Sequence, residues 1–112
     1  MKFLLKWLVA TLAVIITAYL LPGIAITDIF AALVAALILG LLNAILKPVL
    51  VILTLPINVL TLGLFTLVIN AALVMLTGAI VPGFKVAGFL WALLFSLVLS
   101  IIMFVLGKIT KD

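Results

Sequence analysis

Cysteine, histidine, arginine and glutamate are all missing from this 112-residue chain, and its carboxylate side chains are Asp28 and Asp112 alone. Without cysteine there is no disulfide framework and no thiol chemistry, so nothing marks the redox state of its compartment. Without histidine or paired carboxylates there is no general acid–base pair, no nucleophile with its base and no ligand cluster for a metal. The chain is therefore not expected to be an enzyme, and neither a cofactor nor a metal site is expected. A formal charge of +4 arises from lysines. They sit at the ends of apolar runs, where a long stem lets the ammonium reach lipid headgroups. No basic face interleaved with aromatics exists, which argues against nucleic acid as a partner.

What is present is mostly apolar. Hydrophobic residues make up 71% and charged ones 7%, too little polar surface to enclose a soluble globule of this length. The lipid bilayer is the first partner implied. Four apolar runs, 3–21, 29–46, 63–81 and 88–106, each approach the roughly 20 residues that cross a hydrocarbon core of about 30 Å. They predict an all-α, polytopic membrane protein with four transmembrane helices in a single membrane domain over 1–112. Lys2 and Lys6 precede the first run, but no small-x-small cleavage site before a polar mature region follows, so it reads as a retained signal-anchor helix. Lys47-Pro48 is expected to close the second run, because a residue before proline is steered away from the α region. The segment 48–62 is too apolar for a solvated loop and, at about 1.5 Å per residue, too short to span as a helix. Pro56 would break a helix through its middle. A re-entrant or interfacial segment is predicted there.

An internal repeat organises the chain. At an offset of 60 residues, Leu20-Leu21-Pro22-Gly23-Ile24-Ala25-Ile26 lines up with Ile80-Val81-Pro82-Gly83-Phe84-Lys85-Val86. This divides the chain into a first hairpin over 3–47, the segment 48–62 and a second hairpin over 63–108. Pro22-Gly23 and Pro82-Gly83 end a span and turn the chain, proline because it cannot continue a helix and glycine because it accepts positive φ. If 48–62 does not cross the bilayer, Lys2, Lys6, Lys47, Lys108 and Lys111 face one side and Lys85 the other. If it does, Lys108 and Lys111 part from the rest. The positive-inside rule favours the first arrangement, a parallel repeat with both termini cytoplasmic. Small residues recur at every fourth position, Ala32, Ala36, Gly40 and Ala44 in one copy and Gly88, Ala92, Ser96 and Ser100 in the other. Such stripes permit close helix approach in lipid, either hairpin on hairpin or protomer on protomer. A homo-oligomer is expected, and other protein partners cannot be read.

The candidate site is polar. Asn43, Asn58 and Asn70 stand inside apolar runs, and an amide in hydrocarbon must find partners or cost several kcal/mol. Helical spacing puts Asn43 with Gly40 and Lys47, Asn58 with Thr54 and Thr61, and Asn70 with Thr66 and Thr77. These stripes form either an interhelical network that also caps backbone freed at Pro48 and Pro56, or the lining of a wet path, or a contact with lipid headgroups.

The central block carries a resemblance. Asn43-Ala44-Ile45-Leu46-Lys47-Pro48, then Thr54 to Ala71 with Pro56, Asn58, Thr61, Gly63, Thr66 and Asn70, then Val81-Pro82-Gly83-Phe84, resembles the signature of phage holin family 4, superfamily IV, the YvlD-like small bacterial membrane proteins. The resemblance covers nearly the whole chain. It implies a multi-pass protein of the bacterial cytoplasmic membrane, and a holin that oligomerises and permeabilises the membrane. The basic C-terminal tail common in holins is reduced here to Lys108 and Lys111. A small channel or transporter with an asparagine-lined path, and a membrane scaffold or envelope-stress factor, are the competing functions.

Overall fold

A computed structural model describes residues 2–111. Helix α1 (Lys2–Leu20) runs into Pro22-Gly23 and is followed by a three-residue strand, β1 (Ile24–Ile26). Asp28 then opens helix α2 (Ile29–Leu53): the Ala31 N–H donates to its Oδ1 at 2.8 Å, one of the orphan donors a helix start must satisfy. A short helix, α3 (Leu55–Leu60), leads to α4 (Leu64–Ile80), strand β2 (Phe84–Val86) and the last helix, α5 (Phe89–Lys111).

The two strands pair. Ile24 lies opposite Val86, Ala25 opposite Lys85 and Ile26 opposite Phe84 in an antiparallel ribbon. Just beyond it, the Thr27 N–H donates to the Gly83 carbonyl at 3.0 Å and the Ala87 N–H to the Gly23 carbonyl at 2.9 Å. The all-α expectation is corrected to this extent. Extended residues after a Pro-Gly turn carry backbone donors and acceptors that need partners, and each strand supplies those of the other.

Around the ribbon the helices form a ring in which α1 and α4 each pack on both α2 and α5. The core occupies the half next to the ribbon: Ala13 and Val14 on α1, Ala32, Ala35 and Ala36 on α2, Leu73 and Val74 on α4, and Ala92 and Phe95 on α5. Phe84 closes it from the ribbon, its ring 5.5 Å from that of Phe95 at a tilt of 58°. Burial recurs at the 60-residue offset, with Val14 and Val74, Ile24 and Phe84, Ala32 and Ala92, and Ala36 and Ser96 all buried. Thr17 and Thr77 sit at 0% exposure. Each hydroxyl donates to a carbonyl of its own helix, Ala13 at 2.7 Å and Leu73 at 2.8 Å, so both cross the apolar core without an unmet bond.

Three helices, Lys2–Leu20, Ile29–Leu53 and Phe89–Ile109, are long and apolar enough to cross a membrane; α4, at 17 residues, is a shorter apolar helix beside them. The expected boundary at Lys47-Pro48 is corrected. Helix α2 runs through Pro48 to Leu53, where the Thr54 hydroxyl donates to the Leu50 carbonyl at 2.6 Å. Pro48 and Ala44, whose carbonyl would have bonded to it, both lie on an exposed side, so the ring meets no packed neighbour and the freed carbonyl is accessible. Membrane helices tolerate such a proline. Pro56 follows the break that separates α2 from α3 at Thr54. It stands in the first turn of α3, where its missing N–H would have been an orphan in any case. The segment 48–62 is thus divided between the end of α2 and α3. Leu62 (φ 56) and Gly63 (φ 87) then reverse the chain, with the Gly63 N–H bonded to the Asn58 carbonyl at 2.7 Å.

The two turn glycines are the tightest points of the ribbon. A Cβ on Gly23 would enter the Trp91 indole, and one on Gly83 (φ +88) would collide with Thr27 Oγ1, whereas one on Gly40 meets nothing within 4 Å. Gly23→Ala and Gly83→Ala are therefore expected to lower stability by about 1–3 kcal/mol. Gly40→Ala should be neutral or raise it by up to about 1 kcal/mol, as read by thermal unfolding in detergent.

Candidate functional site

The polar residues of the central block fall into two clusters. The first ties the α2–α3–α4 junction. The Thr54 hydroxyl donates to the Leu50 carbonyl, the Asn58 amide donates to Thr54 Oγ1 at 3.0 Å, and the Thr66 hydroxyl donates to Asn58 Oδ1 at 3.0 Å. Asn58 is buried, and its carboxamide is engaged on both sides. Thr61 supports the same turn, its hydroxyl bonding the Ile57 carbonyl at 2.9 Å while its oxygen accepts the Phe65 N–H at 3.2 Å. This satisfies one of the first donors of α4. The cluster staples a loop.

The second cluster is a cavity of about 70 Å3 between α2, α4 and α5, lined by Asn43, Lys47, Asn70, Ser96 and Ser100 with Leu39, Val74 and Leu99. Among the described residues no side-chain hydrogen bond is recorded for either Asn43 or Asn70. The serines bond within their own helix, Ser96 to the Leu93 carbonyl at 2.9 Å and Ser100 to the Ser96 carbonyl at 2.8 Å. Their oxygens offer acceptors to the cavity while Asn43, Asn70 and Lys47 offer donors. Lys47 is the charged group in the lining. A larger groove of about 450 Å3 adjoins it, sharing Leu39, Asn43, Leu99 and Ser100 and continuing over Ala10, Val14, Ala36, Gly40, Met103 and Phe104.

Asn43, Asn58 and Asn70 thus do not form one network: Asn58 belongs to the junction, and Asn43 and Asn70 to the cavity. Of the small stripes, Ala32, Ala36, Ala92 and Ser96 are buried in the bundle, while Gly40, Ala44 and Ser100 are exposed and a Cβ at Gly88 would meet nothing within 4 Å. Several contributors escaped a reading by residue type. Ser96 and Ser100 read as packing residues, yet both line the cavity beside Lys47, which helical spacing places on the face of Asn43. Thr17 carries the same core role as Thr77, and the 60-residue offset was the available signal. Trp7 reads as an interface anchor, but its indole N–H donates to the Leu33 carbonyl at 2.9 Å and ties α1 to α2.

Comparison with known proteins agrees with this architecture. The family described as "Mycobacterial 4 TMS phage holin, superfamily IV" matches residues 1–105. The chain is 40% identical over 111 residues to the uncharacterized membrane protein YvlD of Bacillus subtilis, covering 94% of this chain and 92% of that protein. It is 36% identical over 121 residues to an uncharacterized protein of Streptomyces coelicolor, SCO3922, covering 99% and 97%. No solved structure matches the chain significantly.

The two clusters respond differently to the same substitution. Asn58→Leu breaks two side-chain bonds at a buried position and is expected to cost about 0.6–2 kcal/mol, the range of interhelical hydrogen bonds in membranes. Asn43→Leu, at an exposed position with no bond to lose, should stay within about 0.5 kcal/mol of the parent. Thermal melts of both variants in one detergent check the contrast.

Proposed function

The chain belongs to the four-span phage holin superfamily IV, and from that membership and the bundle's geometry we propose that it is a self-assembling holin-like protein of the bacterial cytoplasmic membrane. Membership makes the chain a holin-like, multi-pass membrane protein of a bacterial family. In this proposal four spans form two parallel-repeat hairpins with both termini cytoplasmic. Its support is that α1 and α4 end, and α2 and α5 begin, beside the ribbon. The 54–63 connection then lies at the opposite end, and Lys2, Lys6, Lys47 and Lys108 collect there, away from Lys85. That side would be cytoplasmic by the positive-inside rule.

One observation carries the self-assembly reading: the bundle is sealed in one half and uncovered in the other. Val14, Thr17, Val74, Thr77, Phe84 and Phe95 are each at most 2% exposed and fill the ribbon half. The cavity at Asn43 and Asn70 is then a vestibule, and any route for water across the membrane has to run between protomers. The stripe that packs α2 inside the chain at Ala32 and Ala36 continues to Gly40 and Ala44, which stay exposed beside a groove lined by α1 and α5. A helix face of small residues is the surface a second copy can approach closely. A channel through one protomer along Asn43, Asn58 and Asn70 is opposed by the sealed half and by the engagement of Asn58 with Thr54 and Thr66.

The absence of native cysteine makes the test direct. Ala44→Cys in native membranes is expected to give an oxidised dimer band, with Leu97→Cys, on a lipid-exposed position, giving little. Adding Gly40→Leu should reduce crosslinking at Ala44→Cys at least about tenfold, the effect of about 1.4 kcal/mol, without lowering the melting temperature. A protein that stays monomeric across native membrane densities would overturn the proposal. If the assembly permeabilises, growth arrest on overexpression should also be relieved by Gly40→Leu.

A further inference from the structure

The polar cavity and the apolar groove beside it are one site in two copies. At the 60-residue offset, Asn43, Lys47 and Asn70 correspond to Met103, Gly107 and Ala10. Met103 and Ala10 line the groove as Asn43 and Asn70 line the cavity, while Leu39 and Leu99, which correspond to each other, stand in both. One copy has become polar and cationic, the other apolar, and the two are joined.

Lys47 has no counter-charge within reach among the described residues. Among the described residues the carboxylate is Asp28, which caps the far end of the same helix. From residue 28 to residue 47 the distance along α2 is about 28 Å at about 1.5 Å per residue. An ammonium beside a cavity in a low-dielectric setting requires an anion or water, and the partly unpaired donors of Asn43 and Asn70 share the same space. The cavity, about 70 Å3, exceeds the about 10–15 Å3 that a single water needs. Counted from Ile29, Asn43 and Lys47 lie about 21 and 27 Å along α2. That is near the edge of a hydrocarbon core of about 30 Å, where the phosphates of one leaflet begin.

We propose that Asn43, Lys47 and Asn70 hold the phosphate oxyanion of an anionic phospholipid, whose acyl chain lies in the adjoining groove over Ala10, Met103 and Phe104. The ligand's charge answers Lys47, its phosphate oxygens accept from the ammonium and the two carboxamides, and its tail accounts for the apolar half of the site. A free phosphate shares the oxyanion chemistry but gives the groove no role. The site is complete within one protomer and stands whether or not the chain assembles.

The test is thermal unfolding of the full chain in detergent with added phosphatidylglycerol, phosphatidylcholine or inorganic phosphate at matched ionic strength. Phosphatidylglycerol is expected to raise the midpoint by at least about 4 °C when well above its dissociation constant, and phosphatidylcholine by clearly less. Lys47→Gln should abolish the gain, while Lys47→Arg and the remote Lys2→Gln keep it. Asn70→Asp, which places a carboxylate in the cavity, should also abolish the gain and raise the midpoint without lipid. A gain from phosphatidylglycerol that survives Lys47→Gln overturns the proposal. So does an equal, Lys47-dependent gain from inorganic phosphate or from phosphatidylcholine, or the absence of any gain in the parent chain.

Discussion

A helix that stops at a membrane surface leaves carbonyls without partners, and an extended segment after it leaves both donors and acceptors. In this chain the problem arises twice, after Leu20 and after Ile80, and the ribbon answers both. Pairing Ile24–Ile26 with Phe84–Val86 satisfies the two turns with each other and draws four helix ends to one place. The rest follows from that closure. Proline and glycine at each turn let the strands approach, Trp91 fills the space that the missing side chain of Gly23 leaves, and Phe84 reaches down to Phe95. Helices that share a tied end must pack tightly near it. Alanine, valine and threonine supply small side chains there, and each buried threonine bonds its own helix so that nothing polar is stranded.

Away from the ribbon that constraint fades, and the bundle loosens. The polar residues are distributed accordingly. In the sealed half the buried hydroxyls of Thr17 and Thr77 are self-satisfied; in the loose half Asn43, Lys47 and Asn70 face a space that water or a headgroup can enter. The junction at Asn58 is the exception, and its reason is local. Reversing the chain between α2 and α4 within a few residues exposes carbonyls and donors that Thr54, Asn58, Thr61 and Thr66 recover. Its cost includes a leucine at positive φ in Leu62, a position where glycine is usual.

Apolar run lengths made the membrane class legible from the sequence, because hydropathy reports directly on what lipid demands, and the family was legible from the motif residues of the central block. The expectation that Pro48 closes the second helix failed because Pro48 sits on an exposed face, where a membrane helix tolerates it, whereas the helical path does break at Thr54, two residues before Pro56. The ribbon was hidden because Ile24-Ala25-Ile26 and Phe84-Lys85-Val86 are too short to show alternation as evidence of pairing, and pairing is a relation between segments 60 residues apart. The asparagines were identified as a set by type. Their separation into a staple and a cavity depends on which helices the ribbon brings together, and that is a tertiary fact.

The offset that organises the fold also shows where the two halves differ. In the core the corresponding residues keep their character: Val14 with Val74, Thr17 with Thr77, Ala32 with Ala92. In the loose half they do not, for Asn43 stands against Met103, Lys47 against Gly107 and Ala10 against Asn70. Packing explains the agreement, since a tied bundle end admits few shapes. It does not explain the divergence, because an exposed helix face in lipid accepts Leu, Met or Ala with equal ease and gains nothing from a lysine and two carboxamides. Placing a half-buried cation with two carboxamides on one copy only costs free energy in lipid with no packing return. Asn43, Lys47 and Asn70 each lack a polar counterpart at the offset position, and they lie together on one cavity.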